Sequence, residues 1–329
     1  MRASTGGQSW RRHVRPHNSE TLDARRAARS GSVMSETDLE NMAQRLEASA
    51  DYRVIRRLVP RRLIQPDDGS ARFLGIFLDL ETTGLDPNFE EIIEIALLPF
   101  TYSADGRIFE VRDGLNRLRQ PTKPIPELVT QITGITDAMV AGHSIDPAEL
   151  ADFVADANLI VAHNARFDRP FAERFCPVFK DMYWACSMAD IDWLSEGMEG
   201  TKLFYLLAQQ GLFFEGHRAV NDCEAAIELL TRPLPKSGRL AFAALLETAR
   251  KSSFRIWAIN SPFDRKDSLK LRGYRWNSGE NGQPKSWFID VADDARDAEL
   301  AFLQDEIYRS QKDVPIDEMT AAIRYSDRA

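Results

Sequence analysis

The stretch Phe73-Leu74-Gly75-Ile76-Phe77-Leu78-Asp79-Leu80-Glu81-Thr82-Thr83-Gly84-Leu85 decides how this chain is read. Residues 73–80 are a nearly continuous apolar run, the mark of a strand buried on both faces. Asp79 and Glu81 stand two apart at its end, so the period of a strand places both on one face. Two converging carboxylates repel each other unless a cation lies between them, which makes the pair a natural ligand set for a hard divalent metal. An isolated Asp-x-Glu is weak evidence and reads better as a solvated strand end. The apolar run before it and the tight turn after it weigh against that. In the turn, the backbone N–H groups of Thr82, Thr83 and Gly84 and the two threonine hydroxyls are candidates to hold a phosphate or sugar.

Working outward, Glu91–Phe100 and Ile108–Leu118 read as two more strands joined by the Asp105-Gly106 turn. Helices are expected at 125–132 and 146–156. The second opens Asp146-Pro147-Ala148-Glu149, which supplies a cap, a first-turn proline and a capping-box partner. Leu159–Ala162 is a short buried strand. Residues 164–176 form a helix whose Phe167, Phe171 and Phe175 recur every four positions. Further helices are expected near 187–196, 201–210 and 222–231. Strands followed by alternating helices and strands indicate an α/β sheet with helices on its faces.

Two more polar clusters follow buried segments. His163-Asn164-Ala165-Arg166-Phe167-Asp168 leaves a strand and opens the phenylalanine-striped helix, putting Asp168 in its first turn. A first-turn acid also complements a helix dipole, so this residue alone is ambiguous. His163 reads as a structural histidine. His217-Arg218-Ala219-Val220-Asn221-Asp222 enters the next helix, with Asn221 as the expected N-cap and Asp222 in the first turn. His217 falls in the preceding loop and titrates in the range a general base needs.

The composition divides the chain. The net charge is −8 over 329 residues, yet residues 73–235 hold 26 acidic against 12 basic residues. Residues 250–285 hold nine basic against three acidic. An acidic domain beside a basic patch suggests divided labour on a polyanionic substrate. Cys176, Cys186 and Cys223 are too few and too scattered for a disulfide framework, form no C-x-x-C pair, and read as reduced thiols of a cytoplasmic protein. No apolar run approaches the roughly 20 residues of a membrane span.

Residues 1–33 carry seven arginines and two acids without hydrophobic periodicity and read as a disordered basic extension; Met34 is a candidate true start. Residues 34–72 read as a short helix and an Arg-rich connector, 73–232 as the first domain, 232–238 as a linker, and 240–329 as a small α+β accessory domain. In that last domain Lys266, Lys270, Arg272 and Arg275 alternate with Trp257, Phe263, Tyr274, Trp276 and Trp287, a composition suited to nucleic-acid contact. Trp257 and Trp287 are expected in its core, and Leu300, Leu303 and Ile307 form the apolar stripe of an acidic helix.

Taken in order, the three clusters resemble the DEDDh 3′→5′ exonuclease family, which includes the proofreading subunit of bacterial replicative DNA polymerase. Asp79, Glu81, Thr83 and Gly84 match its first motif, His163 to Asp168 its second, and His217, Ala219 and Asp222 its third. Ile132-Thr133-Gly134-Ile135-Thr136 resembles its Gly-Ile-Thr segment. The resemblance covers about residues 73–232. It implies a ribonuclease-H-like mixed five-stranded sheet flanked by helices. It implies that Asp79, Glu81, Asp168 and Asp222 hold two Mg²⁺ or Mn²⁺ ions, and that His217 deprotonates the attacking water. Leu85 matches an apolar wedge against the terminal bases, with Thr82, Thr83, Gly84, Asn164 and Phe167 as neighbours of the terminal nucleotide. The implied activity is release of nucleoside 5′-monophosphates from DNA or RNA 3′ ends, DNA favoured, in repair or proofreading in trans, with a polymerase or repair protein as possible partner. RNA 3′-end trimming and a catalytically silent binding module are the alternatives.

Overall fold

In the computed structural model, which describes residues 35–280 and 282–328, the apolar run at 73–80 is the middle of a sheet. The strands are β1 (Arg56–Arg57), β2 (Phe73–Thr82), β3 (Ile92–Tyr102), β4 (Ile108–Val111), β5 (Leu115–Leu118), β6 (Leu159–Ala162), β7 (Trp184–Cys186) and β8 (Leu212–Phe213). The order across the main sheet is β4-β3-β2-β6-β7, with β5 also paired to β3. β2, β3 and β4 run antiparallel, while β2, β6 and β7 run parallel. The sheet is mixed and flanked by helices, as the sequence led one to expect. The single strand expected over 108–118 is broken into β4 and β5, both on the outer side of β3, so six strands fill five columns. At the break, a Cβ on Gly114 would lie 2.7 Å from the Leu97 carbonyl oxygen.

Alternate residues of β2 feed two cores. Ile76, Leu78 and Leu80 pack with the Ala165–Phe175 helix through Ala165, Phe171 and Ala172. Phe77 packs on the other side with the Ala219–Leu230 helix through Ala219, Cys223 and Ala226. The strand is continuous in hydrophobicity because both faces are covered.

Three expectations need correction. Residues 187–196 form hydrogen-bonded turns rather than a helix. Asp190 takes the Cys186 N–H at 2.7 Å and Asp192 takes the Ser195 N–H at 3.0 Å, local bonds that compete with helix formation. Asp146 caps its helix at the Ala148 N–H as expected, but Glu149 turns to Arg117 instead of closing a capping box. The third concerns the boundary expected at 232–240. The Ala241–Arg250 helix belongs to the first core, where Phe242 lies edge-on to Phe100 at 5.3 Å and to Tyr102 at 5.0 Å. Such pairs contribute about 0.5–1.5 kcal/mol each beyond their buried area.

The second sheet begins after that helix: β9 (Ser253–Ala258), β10 (Arg275–Asn277), β11 (Ser286–Ala292) and β12 (Ile316–Met319), in antiparallel order β10-β11-β9-β12. Trp257 is buried and donates to Asp317, Trp287 is half-buried, and Leu303 and Ile307 close the core. The chain then returns to the first layer. The Trp184 N–H donates to the Ala321 carbonyl, and buried Arg169 donates to the carbonyls of Ala321, Ala322 and Arg324. Residues 35–54 belong to a separate unit, in which Ser35 and Asp38 close a capping box on the Glu36–Glu47 helix. The disordered extension and the start at Met34 expected from the sequence lie outside the described residues. Among the described residues no helix is long and apolar enough to cross a membrane.

Candidate active site

Asp79 and Glu81 share one face of β2, opposite Ala96 and Glu94 of β3. The register shifts immediately after Glu81, so the pairing gives way where the two carboxylates need room. That face is the one covered by the Ala219–Leu230 helix, whose first turn brings in Asp222. Carboxylate oxygens of Asp79, Glu81 and Asp222 all lie within 4.8 Å of one another. Asp168 reaches the same end of the sheet from the helix on the opposite face. It is buried and takes a hydrogen bond from the Leu80 N–H.

The crowding shows in the proton affinities. Burial pushes Asp79 well above the usual carboxylate range, and the charges of Asp168, Asp222 and Glu81 push it further. Burial, then Asp222 and Glu94, raises Glu81 to about 8. Burial raises Asp222 to about 6, with the facing His217 opposing it. Burial also raises Asp168 well above its usual value. A set of hard oxygen donors that repel one another at this spacing fits divalent cations, whose charge would relieve the repulsion. The site therefore fits Mg²⁺ or Mn²⁺ by its donor chemistry.

His217 sits exposed at φ 63°, in the left-handed region, just ahead of the helix that carries Asp222. His163 is different. Its ring nitrogens meet Ser187 Oγ at 2.9 Å and the Thr201 carbonyl at 2.8 Å, and burial pushes its imidazole down to about 4. The structural role read for it from the sequence holds.

Sequence reasoning missed three residues here. Glu94 is fully buried in the apolar run of β3, where it accepts from Arg218, from the Ala219 N–H and from Asn116. These bonds fix the start of the helix that bears Asp222. The signal was present: a lone acid inside Ile92-Ile93-Glu94-Ile95-Ala96 requires a partner if the run is buried. The helix is capped at Arg218, not at Asn221, whose side chain donates instead to the Glu215 carbonyl. The third is Glu90. It accepts the Thr83 hydroxyl at 2.6 Å and fills the space over Gly84, where a Cβ would lie 2.8 Å from its carboxyl carbon.

The substrate-facing candidates separate into two kinds. Leu85 is 84% exposed at the tip of the turn. The Thr82 and Thr83 hydroxyl protons are engaged internally, with the Gly84 carbonyl and with Glu90. Asn164 precedes its helix at φ 83°, and Phe167 packs at a tilt against Phe171, ring centres 5.1 Å apart. In the second layer, Arg272 pairs with Glu299 and covers Phe302, Lys266 lies over Phe263, and Arg275 pairs with Asp290; Lys270 stands on the same helix as Lys266.

A family model described as exonuclease matches residues 76–230, a span that contains all five of Asp79, Glu81, Asp168, His217 and Asp222. The uncharacterized exonuclease CP81 of Escherichia phage 186 is 31% identical over 176 residues, covering 47% of this chain and 85% of that protein. The chain belongs to the exonuclease family. The exonuclease match also extends to larger proteins. PolC-type DNA polymerase III of Thermotoga petrophila is 30% identical over 178 residues, 52% of this chain but 13% of the polymerase. The chain thus spans a small part of that relative. Among solved structures, Exonuclease X in complex with 5′ overhanging duplex DNA is 26% identical, covering 53% of this chain and 90% of that one at a TM-score of 0.35.

Proposed function

We propose that this exonuclease removes nucleotides singly from the 3′ end of a nucleic acid by metal-assisted hydrolysis. The observation that carries the reading is the gathering of Asp79, Glu81 and Asp222 oxygens within 4.8 Å, with Asp168 beside them. Those four carboxylates would hold two Mg²⁺ or Mn²⁺ ions. Bound there, the ions supply Lewis-acid stabilisation of charge on the phosphoryl group and on the departing oxygen.

The chain's own groups do the rest. His217, exposed at the rim, accepts the proton of the attacking water as its oxygen bonds to phosphorus. The bond from phosphorus to the 3′-oxygen breaks, and that oxygen leaves to be protonated by solvent. A nucleoside 5′-monophosphate is released. Leu85, exposed beside the site, wedges against the terminal bases, while Asn164, Phe167 and the Thr82–Gly84 turn border the last nucleotide. DNA is the favoured substrate, in repair or in proofreading in trans for a polymerase. The polymerase relatives support that reading, and RNA ends are the competing substrate.

The test is incubation of the full chain with 5′-labelled single-stranded DNA, 3′-mismatched duplex and RNA, in Mg²⁺ or in EDTA, beside Asp79→Ala. A one-nucleotide ladder from the 3′ end, abolished by EDTA and by the substitution, is the expected result. Absence of a ladder on all three substrates would overturn the proposal.

A further inference from the structure

The C-terminal sheet presents two unlike faces. Ile256 and Ala258, with Trp287, Ile289 and Val291, line the side covered by its own helices. Arg275, Phe288, Asp290 and Arg255 occupy the other, as their cross-strand pairing requires. This second face looks across a cleft of about 1190 Å³ at the Ala165–Phe175 helix. The opposing residue on that helix is Arg166, two positions before Asp168, which places the two side chains roughly 200° apart around the axis. The first turn of one helix therefore directs Asp168 to the carboxylate cluster and Arg166 to the second layer.

Three guanidinium groups meet there around one carboxylate. Asp290 accepts from Arg255 at 2.6 Å and from Arg275 at 2.7 Å, and Arg166 lies 3.9 Å away. Arg255 is sandwiched, with its guanidinium 4.6 Å from the Phe288 ring centre, and is nearly inaccessible. Arg166 and Arg275 keep 51% and 44% of their side-chain surface exposed. Of the other cleft carboxylates, Asp190 holds Tyr325 and the Cys186 N–H, Glu318 takes the Ser252 hydroxyl, Asp293 pairs with Arg296, and Asp294 stands exposed at the edge. Around Asp290 itself three positive charges face one negative charge, and two of the three are open to a second anion.

We infer that this cleft binds the phosphodiester backbone of a single-stranded nucleic acid, with Arg166 and Arg275 contacting successive phosphates of the strand that feeds the candidate active site. The inference rests on the exonuclease reading for the strand's direction but not for its binding. It also relocates the nucleic-acid surface of the C-terminal layer. Lys266, Lys270 and Arg272 are absent from the lining of this cleft, and only Arg275 of the four expected basic contacts is part of it. Stacked on Phe288 at 4.7 Å, Arg275 holds its planar fork in a fixed orientation, a geometry suited to a phosphate.

Binding is measured with the full chain in EDTA, by anisotropy of a fluorescent oligothymidylate of roughly 12 nucleotides, across a salt series. Arg275→Ala and Arg166→Ala should each weaken binding several-fold and reduce the slope of log affinity against log salt by about 0.7, one phosphate contact on a single strand. Arg275→Lys should restore the slope, which a loss of folding would not allow. Unchanged affinity and slope in both alanine variants would overturn the inference. Because no hydrolysis is needed, a chain that binds in this way but yields no ladder would lose the exonuclease reading alone. A chain that yields a ladder while both variants bind as the parent does would lose this one alone.

Discussion

Arg218 Nη2 lies 2.9 Å from Oε1 of Glu94, a carboxylate with no solvent exposure that sits directly across the β2–β3 ladder from Glu81. A surface loop is thereby tied to the sheet beneath the candidate site, and the Ala219 N–H is held by the same side chain. Glu94→Ala should cost about 2–3 kcal/mol, the range for losing hydrogen bonds to a charged group, because Asn116 and the Ala219 N–H lose their acceptor. Urea unfolding measures it. An intact denaturation midpoint would show that the pair contributes nothing net.

The metal-free protein should lose stability as pH rises from about 5 to 8. The Glu81 carboxyl is raised from its usual 4.5 to about 8, and Asp222 from 3.8 to about 6. In that window the folded state binds more protons than the unfolded one, so their contribution is complete below pH 4 and is lost as each site ionises. Added Mg²⁺ should stabilise more at pH 8 than at pH 6, since its ligands must shed those protons first. Thermal melts in EDTA and in Mg²⁺ across this range decide it; a metal-free melt that climbs with pH through the window contradicts the assignment.

His163 should act in the opposite direction. Burial lowers its imidazole from 6.5 to about 4, so below pH 6.5 the unfolded state takes up the proton first and stability falls toward pH 4. His163→Gln should flatten that acid limb, read as the difference between the two proteins' melts at pH 4.5 and 7. Parallel curves would mean the ring is not held neutral.

His217→Asn should leave the melting temperature close to that of the parent, because asparagine tolerates the φ of 63° at this exposed position. Cleavage should drop by about 10²–10⁴-fold, the usual share of a general base. Single-turnover rates on 5′-labelled DNA provide the measurement, and a rate within a few-fold of the parent would remove His217 from the proposed role.

Gly106→Ala tests where the first domain ends. Gly106 turns at φ 86°, and a Cβ there would stand 2.4 Å from the Ala243 Cα, a backbone atom that cannot yield. The substitution should destabilise by about 1–3 kcal/mol through overpacking. A neutral effect would show that the Ala241–Arg250 helix is not seated on the 103–106 turn.

Residues 73–85 by themselves determined the central strand, its burial on both faces and the placement of Asp79 and Glu81 on one of them. These follow from local rules: a two-residue period and an apolar run of strand length. The same holds for Asp168 and Asp222, each in the first turn of a helix that begins at a polar cluster. Short-range chemistry also identified His163 as structural and Trp257 as buried. The sequence could not show that Glu94 organises the third cluster, because its partners lie at positions 116, 218 and 219 and only folding brings them within hydrogen-bond reach. It could not assign the Ala241–Arg250 helix, whose amphipathic pattern suits either neighbouring core. Nor could it show that the last residues return to bury Arg169, or that Arg166, Arg255 and Arg275 converge on Asp290. Those arrangements are set by contacts between residues far apart in the chain, and no local period encodes which distant surface a side chain will meet.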